Sequence, residues 1–176
     1  MRPEVGSVIG ILLLLALHVC SANPSKIKIS KFKLLTSKAE AKDLEWAFDD
    51  DQSTQALIHS RKDEEVTSLL SFPSEHEINS VEIISDLPTT LRQTVQVGYA
   101  QDNKQPYPSL LLDCEVNRTL TICRPHCGHG AQGVTGTTIL WTIQRSEETG
   151  WTRIYDVIIR GQIFESPTLA QDGVSE

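Results

Sequence analysis

The chain lacks the features that mark several large functional classes. Its 176 residues carry a net charge of −7, and no block of basic residues of the kind that binds nucleic acid is present. It has no glycine-rich phosphate loop, no G-x-S-x-G elbow and no H-E-x-x-H motif. Beyond the amino-terminal region, no apolar run reaches the ~20 residues that a membrane-spanning helix needs. We therefore expect no nucleic-acid partner, no membrane span and no enzymatic activity.

The one long apolar run, 8–19, lies near the amino terminus. Arg2 precedes this run, and Cys20-Ser21-Ala22 follows it. A basic start, a short apolar stretch and small residues before a cut are typical of a secretory signal peptide. At about 12 residues the run is too short to cross a bilayer. We predict that residues 1–22 are removed and that the mature protein is soluble and secreted.

Short strand patterns dominate the rest of the chain. Stretches rich in β-branched and apolar residues alternate with turn residues, which is typical of a β-sandwich or barrel. The predicted strands are 26–35, 55–60, 66–72, 78–84, 94–99, 109–112, 119–123, 138–144 and 152–164. The sequence thus predicts one all-β domain of about eight short strands over 23–165, followed by a flexible tail over 166–176. At 37–48 we expect a short helix, or a loop that packs Trp46 and Phe48 on the sandwich.

Three cysteines remain after the predicted cleavage: Cys114, Cys123 and Cys127. An odd number in an exported chain indicates one disulfide and one further thiol. A Cys114–Cys123 bond would close a hairpin and a Cys123–Cys127 bond a tight turn. We favour Cys114–Cys123, which leaves Cys127 free or able to join a second chain in a disulfide-linked dimer. Cys123, His126, Cys127 and His129 also suit zinc chemically, but their crowding argues against a tetrahedral site.

The sequence Asn117-Arg118-Thr119 is an N-glycosylation sequon. It lies between two cysteines of a predicted hairpin, which fits an exposed turn. We expect Asn117 to carry a glycan in an exported chain.

Asp49, Asp50 and Asp51, with Ser53 close by, form a cluster of hard oxygen donors. Such donors suit calcium, which takes 6–8 oxygen ligands. The spacing is not that of an EF-hand loop, because the turn glycine and the closing glutamate are missing. By itself the cluster predicts a solvated turn.

Several segments follow one another in the order that a known family of β-domains has. Ala47-Phe48-Asp49-Asp50 takes the place of an Ala-x-Asp-Gly turn in that family. The later segments are 68–72 leading into 78–83, Val95-Gln96-Val97-Gly98, the cysteines 114 and 123, and 155–159. Over roughly 26–164 the chain resembles the galactose-binding-like jelly roll of fucolectins and discoidin (coagulation-factor C-type) domains. The resemblance implies a jelly-roll β-sandwich that binds ligands through the loops at one end.

The resemblance also implies sugar contacts, because fucolectins hold sugar with one histidine and two arginines. His59 stands where their histidine does, and Arg92 stands near their second arginine. No arginine is present near Ser85-Asp86, where the first should fall, and the adjacent cysteine pair of the family is absent. The implied ligand-binding residues are therefore His59 and Arg92.

A calcium ion beside the aspartate turn is the other implication of the resemblance. Its ligands would be Asp49, Asp51 and Asp156, with Asp156 in place of the usual glutamate late in the last strand.

We predict a secreted, non-enzymatic, lectin-like module that recognises a glycan. The alternative is an extracellular protein-interaction domain that has lost sugar binding, and a secreted hydrolase is least favoured. Trp46 and Trp141 are expected in the core. Trp151 follows Gly150 in what the sequence suggests is a polar turn, so it is the tryptophan expected to contact a ligand.

Overall fold

The computed structural model describes residues 24–36, 40–86, 88–99, 109–126, 133–146 and 148–164. These residues are almost entirely β, as predicted, with two short 3-10 helices at Leu44–Phe48 and Pro88–Thr90. The strands are β1 (Ser25–Lys26), β2 (Lys31–Leu34), β3 (Glu40–Lys42), β4 (Ala56–Ser60), β5 (Glu65–Ser85), β6 (Leu91–Gly98), β7 (Ser109–Leu111), β8 (Asp113–Asn117), β9 (Leu120–Arg124), β10 (Val134–Arg145) and β11 (Gly150–Ile163).

Strand β5 changes its partners along its length and so builds the sandwich. Its first part pairs with β2 and β10, and its last part pairs with β11 and β9. All ladders are antiparallel, in the order β3-β4-β11-β5-β10-β6-β7, with β8 added beside β9 and β1 beside β11. The first layer therefore contains β2, the start of β5, β10, β6 and β7. The second layer contains β1, β3, β4, β11, the end of β5, β9 and β8.

The sequence predicts two strands, 66–72 and 78–84, where the structure has the single strand β5. The cause lies at the predicted turn, because Ser71 pairs with Thr138 while His76 pairs with Gly136. Residues 72–75 therefore bulge out of the ladder without ending the strand. Pro73 lies in this bulge, where its missing N–H costs no ladder hydrogen bond.

The first predicted strand, 26–35, is in fact two strands on different layers. The Ile27 N–H donates to the Ile159 carbonyl at 2.8 Å, and the Ser30 N–H donates to the Ser71 carbonyl at 2.9 Å. The chain therefore crosses from the second layer to the first between these two residues. With the unpredicted β3 and β8, and with two predicted strands merged into β5, this split gives eleven strands among the described residues instead of about eight.

The core lies between the two layers and contains a buried polar chain. Trp141 on β10 is 2% exposed, as expected. Its indole N–H donates to Gln93 Oε1 at 3.2 Å, and Gln93 Nε2 donates to Thr121 Oγ1 at 2.8 Å. A buried indole or amide needs such partners. Because Thr121 belongs to β9, this chain of hydrogen bonds joins the two layers.

The expected short helix is confirmed only over 44–48, as a 3-10 helix, and its extent of 37–48 is wrong for the described part of that segment. Residues 40–42 form β3, and Leu44–Phe48 is a 3-10 helix. Asp43 between them has a φ of 52°, a left-handed conformation that ends the strand. The 3-10 helix buries Ala47 and leaves Trp46 41% exposed, because a short helix with three residues per turn presents only one side to the core. The expectation of a buried Trp46 is therefore also wrong.

Gly161 lies where β1, β5 and β11 meet. A Cβ atom there would collide with the Glu77 carbonyl oxygen and lie 2.7 Å from Ile27 Cδ1. Gly150 begins the same strand, and a Cβ atom there would lie 3.6 Å from the Arg145 guanidinium. The two glycines therefore form a matched pair, one without room for a side chain and one with room.

We predict that Gly161→Ala lowers the free energy of unfolding by roughly 2–3 kcal/mol, because the backbone of β5 must shift to admit the methyl group. Gly150→Ala should change it by less than about 1 kcal/mol. Urea denaturation followed by circular dichroism measures both values. Equal effects of the two substitutions would contradict the packing described at Gly161.

Candidate functional site

Three side chains form a row across one end of the second layer. His59 on β4 pairs with Glu40 on β3 and with Trp151 on β11. Residues that lie directly opposite each other project from the same face of a sheet. Trp151 is 36% exposed, whereas the next residue, Thr152, is buried, so this is the outer face. Trp151 therefore lies on a strand, and the polar turn expected there is wrong.

The exposed indole of Trp151 has two close polar neighbours. The His59 ring lies 5.1 Å from it between centroids, tilted by 60°, and Lys42 Nζ lies 4.9 Å from the ring centroid. We call these three residues the Trp151 surface. An indole stacks on apolar C–H faces, while an ammonium and an imidazole offer hydrogen bonds beside it. The arrangement can therefore hold a ring that is apolar on one face and hydroxylated at its edge.

Arg145 holds the backbone beneath this surface. It is 8% exposed, and its Nη1 donates to the Trp151 carbonyl at 2.9 Å and to Thr152 Oγ1 at 3.4 Å. The Arg145 carbonyl in turn accepts the Asp63 N–H at 2.9 Å. The start of β11 is thereby fixed to the end of β10. Neither Arg145 nor Lys42 could be recognised from the sequence, because neither differs there from an ordinary surface cation.

The structure places the two predicted sugar contacts at the same end of the sandwich but on different layers. His59 belongs to the Trp151 surface. Arg92 is an exposed residue of β6 and pairs with Gln144, next to Arg145. Three strands separate β4 from β6 in the sheet order, and among the described contacts none joins the two side chains. Ligand binding by His59 and Arg92 stays a prediction.

An arginine does lie next to Asp86, where the resemblance expects the first arginine of the sugar site. It is Arg153 of β11, whose Nη1 lies 3.3 Å from Asp86 Oδ2. The Arg153 N–H also donates to Asp86 Oδ1 at 3.0 Å. Arg153 could not be recognised from the sequence, because it is distant from Asp86 in the chain and strand pairing brings the two together.

The aspartate turn forms its own network of hydrogen bonds. Asp49 Oδ1 accepts the Asp51 N–H at 2.9 Å, and Asp49 Oδ2 accepts the Thr54 hydroxyl at 2.8 Å. Asp51 Oδ1 accepts both the N–H and the hydroxyl of Ser53, at 2.9 and 2.6 Å, which lower the pKa of Asp51. Asp50 has a φ of 66°, the conformation that favours glycine at this position of a turn.

Asp156 is 3% exposed on β11. Burial raises the pKa of its carboxyl group, the charge of Lys26 opposes that rise, and Asp49 adds to it. Lys26 Nζ lies 3.9 Å from Asp156 Oδ1 and also forms an ion pair with Asp50.

Asp49, Asp51 and Asp156 do not form a ligand set in this structure. Within the described ranges, no three His, Cys, Asp or Glu side chains are grouped so that they could hold a metal ion. Calcium binding stays a prediction from the resemblance. As they are arranged in this structure, however, these three carboxylates do not fit a calcium site.

Cys114 and Cys123 form a disulfide between β8 and β9, which confirms the favoured pairing. The bond removes Cys123 from the hypothetical zinc ligands. Cys127 and His129 lie outside the described residues. Asn117 is exposed and ends β8, next to a turn in which Arg118 has a φ of 54°. The predicted exposed turn is confirmed, and the glycan on Asn117 stays a prediction.

In the part of the chain that the structure describes, no helix has the length and apolarity required to cross a membrane.

No protein-family model matches the chain. No curated protein matches its sequence. Solved structures do match. One is the CBM32 of AlyQ in complex with 4,5-unsaturated mannuronic acid, at 14% identity and a TM-score of 0.54, covering 81% of this chain and 99% of that one. Another contains CBM32-1 and CBM32-2 of Clostridium perfringens ZmpB in complex with GalNAc, at 9% identity and a TM-score of 0.53, covering 77% of this chain and 34% of that one.

A third match is reduced XRCC1 bound to the DNA pol beta catalytic domain, at 12% identity and a TM-score of 0.53, covering 80% of this chain and 100% of that one. Identities this low show the fold alone. The chain has the galactose-binding-like jelly-roll fold that carbohydrate-binding modules of the CBM32 type share.

Proposed function

We propose that the chain is an exported, non-catalytic, lectin-like module that binds a glycan on the Trp151 surface. The observation that carries the proposal is the exposed indole between His59 and Lys42, held in place by the buried Arg145. Sugar sites combine an apolar platform with a few fixed polar groups. The Trp151 surface has both, and it lies on a fold that several carbohydrate-binding modules share.

The two predicted sugar contacts have different parts in this proposal. His59 borders the indole and would donate to, or accept from, a hydroxyl of the stacked sugar. Arg92 lies on the other layer at the same end, so it would contact a further residue of a longer glycan. Arg153, next to Asp86, offers a guanidinium on the same strand as Trp151.

The predicted export supports a glycan as the ligand, because glycans are abundant outside the cell. The predicted signal peptide over 1–22, the sequon at Asn117 and the Cys114–Cys123 disulfide are mutually consistent, since disulfides persist in oxidising compartments.

We predict that Trp151→Ala weakens glycan binding at least about tenfold, equivalent to ~1.4 kcal/mol, because the stacking platform is lost. Trp46→Ala is the matched control, since Trp46 is also exposed but lies in the 3-10 helix. It should leave affinity unchanged within about twofold. The measurement is a glycan-array screen of the mature wild-type protein, followed by calorimetry of the best ligand with both variants. Loss of binding in Trp46→Ala alone would move the site away from Trp151.

The second candidate is an extracellular protein-interaction domain. Two observations favour it: the Cys114–Cys123 bond leaves Cys127 as an odd thiol, and the structurally similar XRCC1 chain was solved bound to another protein. Under this alternative a disulfide through Cys127 would join two copies.

For that alternative, non-reducing electrophoresis of the secreted protein should show a dimer that disappears in Cys127→Ser and on reduction. Once residues 1–22 are removed, Cys127 is the cysteine left over beside the Cys114–Cys123 pair. Cys114→Ser is not a suitable control, since it would free Cys123. A monomer without reductant would remove the covalent dimer.

A further inference from the structure

We infer that the glycan bound by the Trp151 surface carries an anionic group, a carboxylate or a sulfate. The inference rests on the proposed glycan binding and narrows it to one chemical class of ligand.

The first observation is the position of Lys42. Its ammonium lies 4.9 Å from the centre of the Trp151 ring, and the side chain is exposed on β3. An exposed cation–π contact is weak, so a sugar ring can take over the indole face. The ammonium then remains at the edge of that sugar, where an anion would pair with it.

The second observation is the fixed charge of Arg145 below the platform. Its guanidinium is buried, donates to the Trp151 carbonyl, and leaves Nε without a hydrogen-bond partner in the described structure. No described carboxylate forms a salt bridge with it. A buried charge is screened less than a solvated one, so the surface above it attracts anions.

The nearby acids do not pair with Lys42 or Arg145. Glu40 shares the row with His59, and Asp86 pairs with Arg153. Among the described residues, no carboxylate forms a salt bridge with Lys42 or Arg145. These two charges are therefore not neutralised by an ion pair.

The test compares an oligouronate with its carboxyl-reduced derivative, and a sulfated oligosaccharide with its desulfated form, by calorimetry at low and at physiological salt. The anionic member of at least one pair should bind roughly three- to tenfold tighter, and added salt should reduce the ratio. Lys42→Met should remove most of that advantage. Lys31→Met is the control, because Lys31 is an exposed lysine on β2 of the other layer.

The outcomes are distinguishable. The inference of an anionic ligand is overturned if neutral and anionic members bind equally. It is also overturned if the ratio of their affinities changes neither with salt nor in Lys42→Met. In both cases the glycan-binding proposal stands. If the wild-type protein binds no member of either pair and no glycan on an array, the proposed function itself fails. A preference for sulfate over uronate, or the reverse, identifies the source of the anion.

A different part of the molecule carries a second inference: we propose that the ammonium of Lys26 takes the place that the resemblance gives to calcium. Asp156 Oδ1 is buried and has no hydrogen-bond partner among the described residues. The cation nearest to it is Lys26 Nζ, at 3.9 Å, which also pairs with Asp50. One ammonium thus ties β1 to the aspartate turn and to β11.

The other expected ligands are already engaged. Both Asp49 oxygens and Asp51 Oδ1 accept hydrogen bonds from their own turn. A divalent ion at Asp156 would also lie within a few ångströms of the Lys26 ammonium, and like charges at that distance repel strongly. The fold therefore uses a side-chain cation where the resemblance implies a metal.

Thermal unfolding after dialysis against EDTA, with and without millimolar calcium, tests this role of Lys26. The wild-type Tm should change by less than about 1 °C, because no ion binds the folded state. Lys26→Met keeps the length of the side chain and should lower the Tm by several degrees. In that variant calcium should restore part of the loss, because Asp50 and Asp156 then lack a cation. Lys28→Met, an exposed neighbour, is the control and should behave as the wild type.

A wild-type Tm that rises by several degrees with calcium overturns the role of Lys26. A Lys26→Met variant as stable as the wild type, with or without calcium, also overturns it. If Lys26→Met does not fold, the wild-type comparison still decides, because it needs no substitution.

Discussion

The change of partners along β5 is the constraint on which the rest of the structure depends. One continuous strand, Glu65–Ser85, pairs with β2 and β10 at its start and with β11 and β9 at its end. The two layers depend on each other, because β5 forms the central hydrogen-bonded ladder of both. The bulge at 72–75 interrupts the ladder with β10, which resumes at His76, where pairing with β11 also begins. The hydrogen bonds from Trp141 through Gln93 to Thr121 join the layers again inside the core.

The candidate site follows from this framework. Because β11 pairs with both β5 and β4, Trp151 is presented on the outer face beside His59. Arg145 then fixes the backbone of that strand to β10 of the other layer. An exposed aromatic ring on a strand held in this way loses little conformational freedom on binding, which is what a stacking platform requires. The buried Arg145 guanidinium lies beneath this surface, and the inferred preference for an anionic glycan rests on it and on Lys42.

The sequence predicted those features that depend on local pattern. Alternation of residues such as those around Val95 and Ile139 identified the strands, and the cysteine count with the hairpin pattern favoured Cys114–Cys123. Features that depend on pairing between remote segments could not be predicted from the local pattern. Pro73 looked like a turn because a local pattern does not show that both flanks keep their ladders. Trp46 looked buried because the side of a short 3-10 helix that faces the core is decided by tertiary packing. Lys42, Arg145 and Arg153 were missed because their partners are remote in the chain.

The most direct test of the central claim is an NMR titration that follows the three tryptophan indole N–H signals of the mature protein while glycans are added. The account predicts that the Trp151 signal shifts with a ligand, that the buried Trp141 signal stays in place, and that the Trp46 signal in the 3-10 helix does not respond. A ligand that shifts the Trp46 signal and leaves Trp151 unmoved would contradict the account, as would a complete glycan panel that moves none of the three.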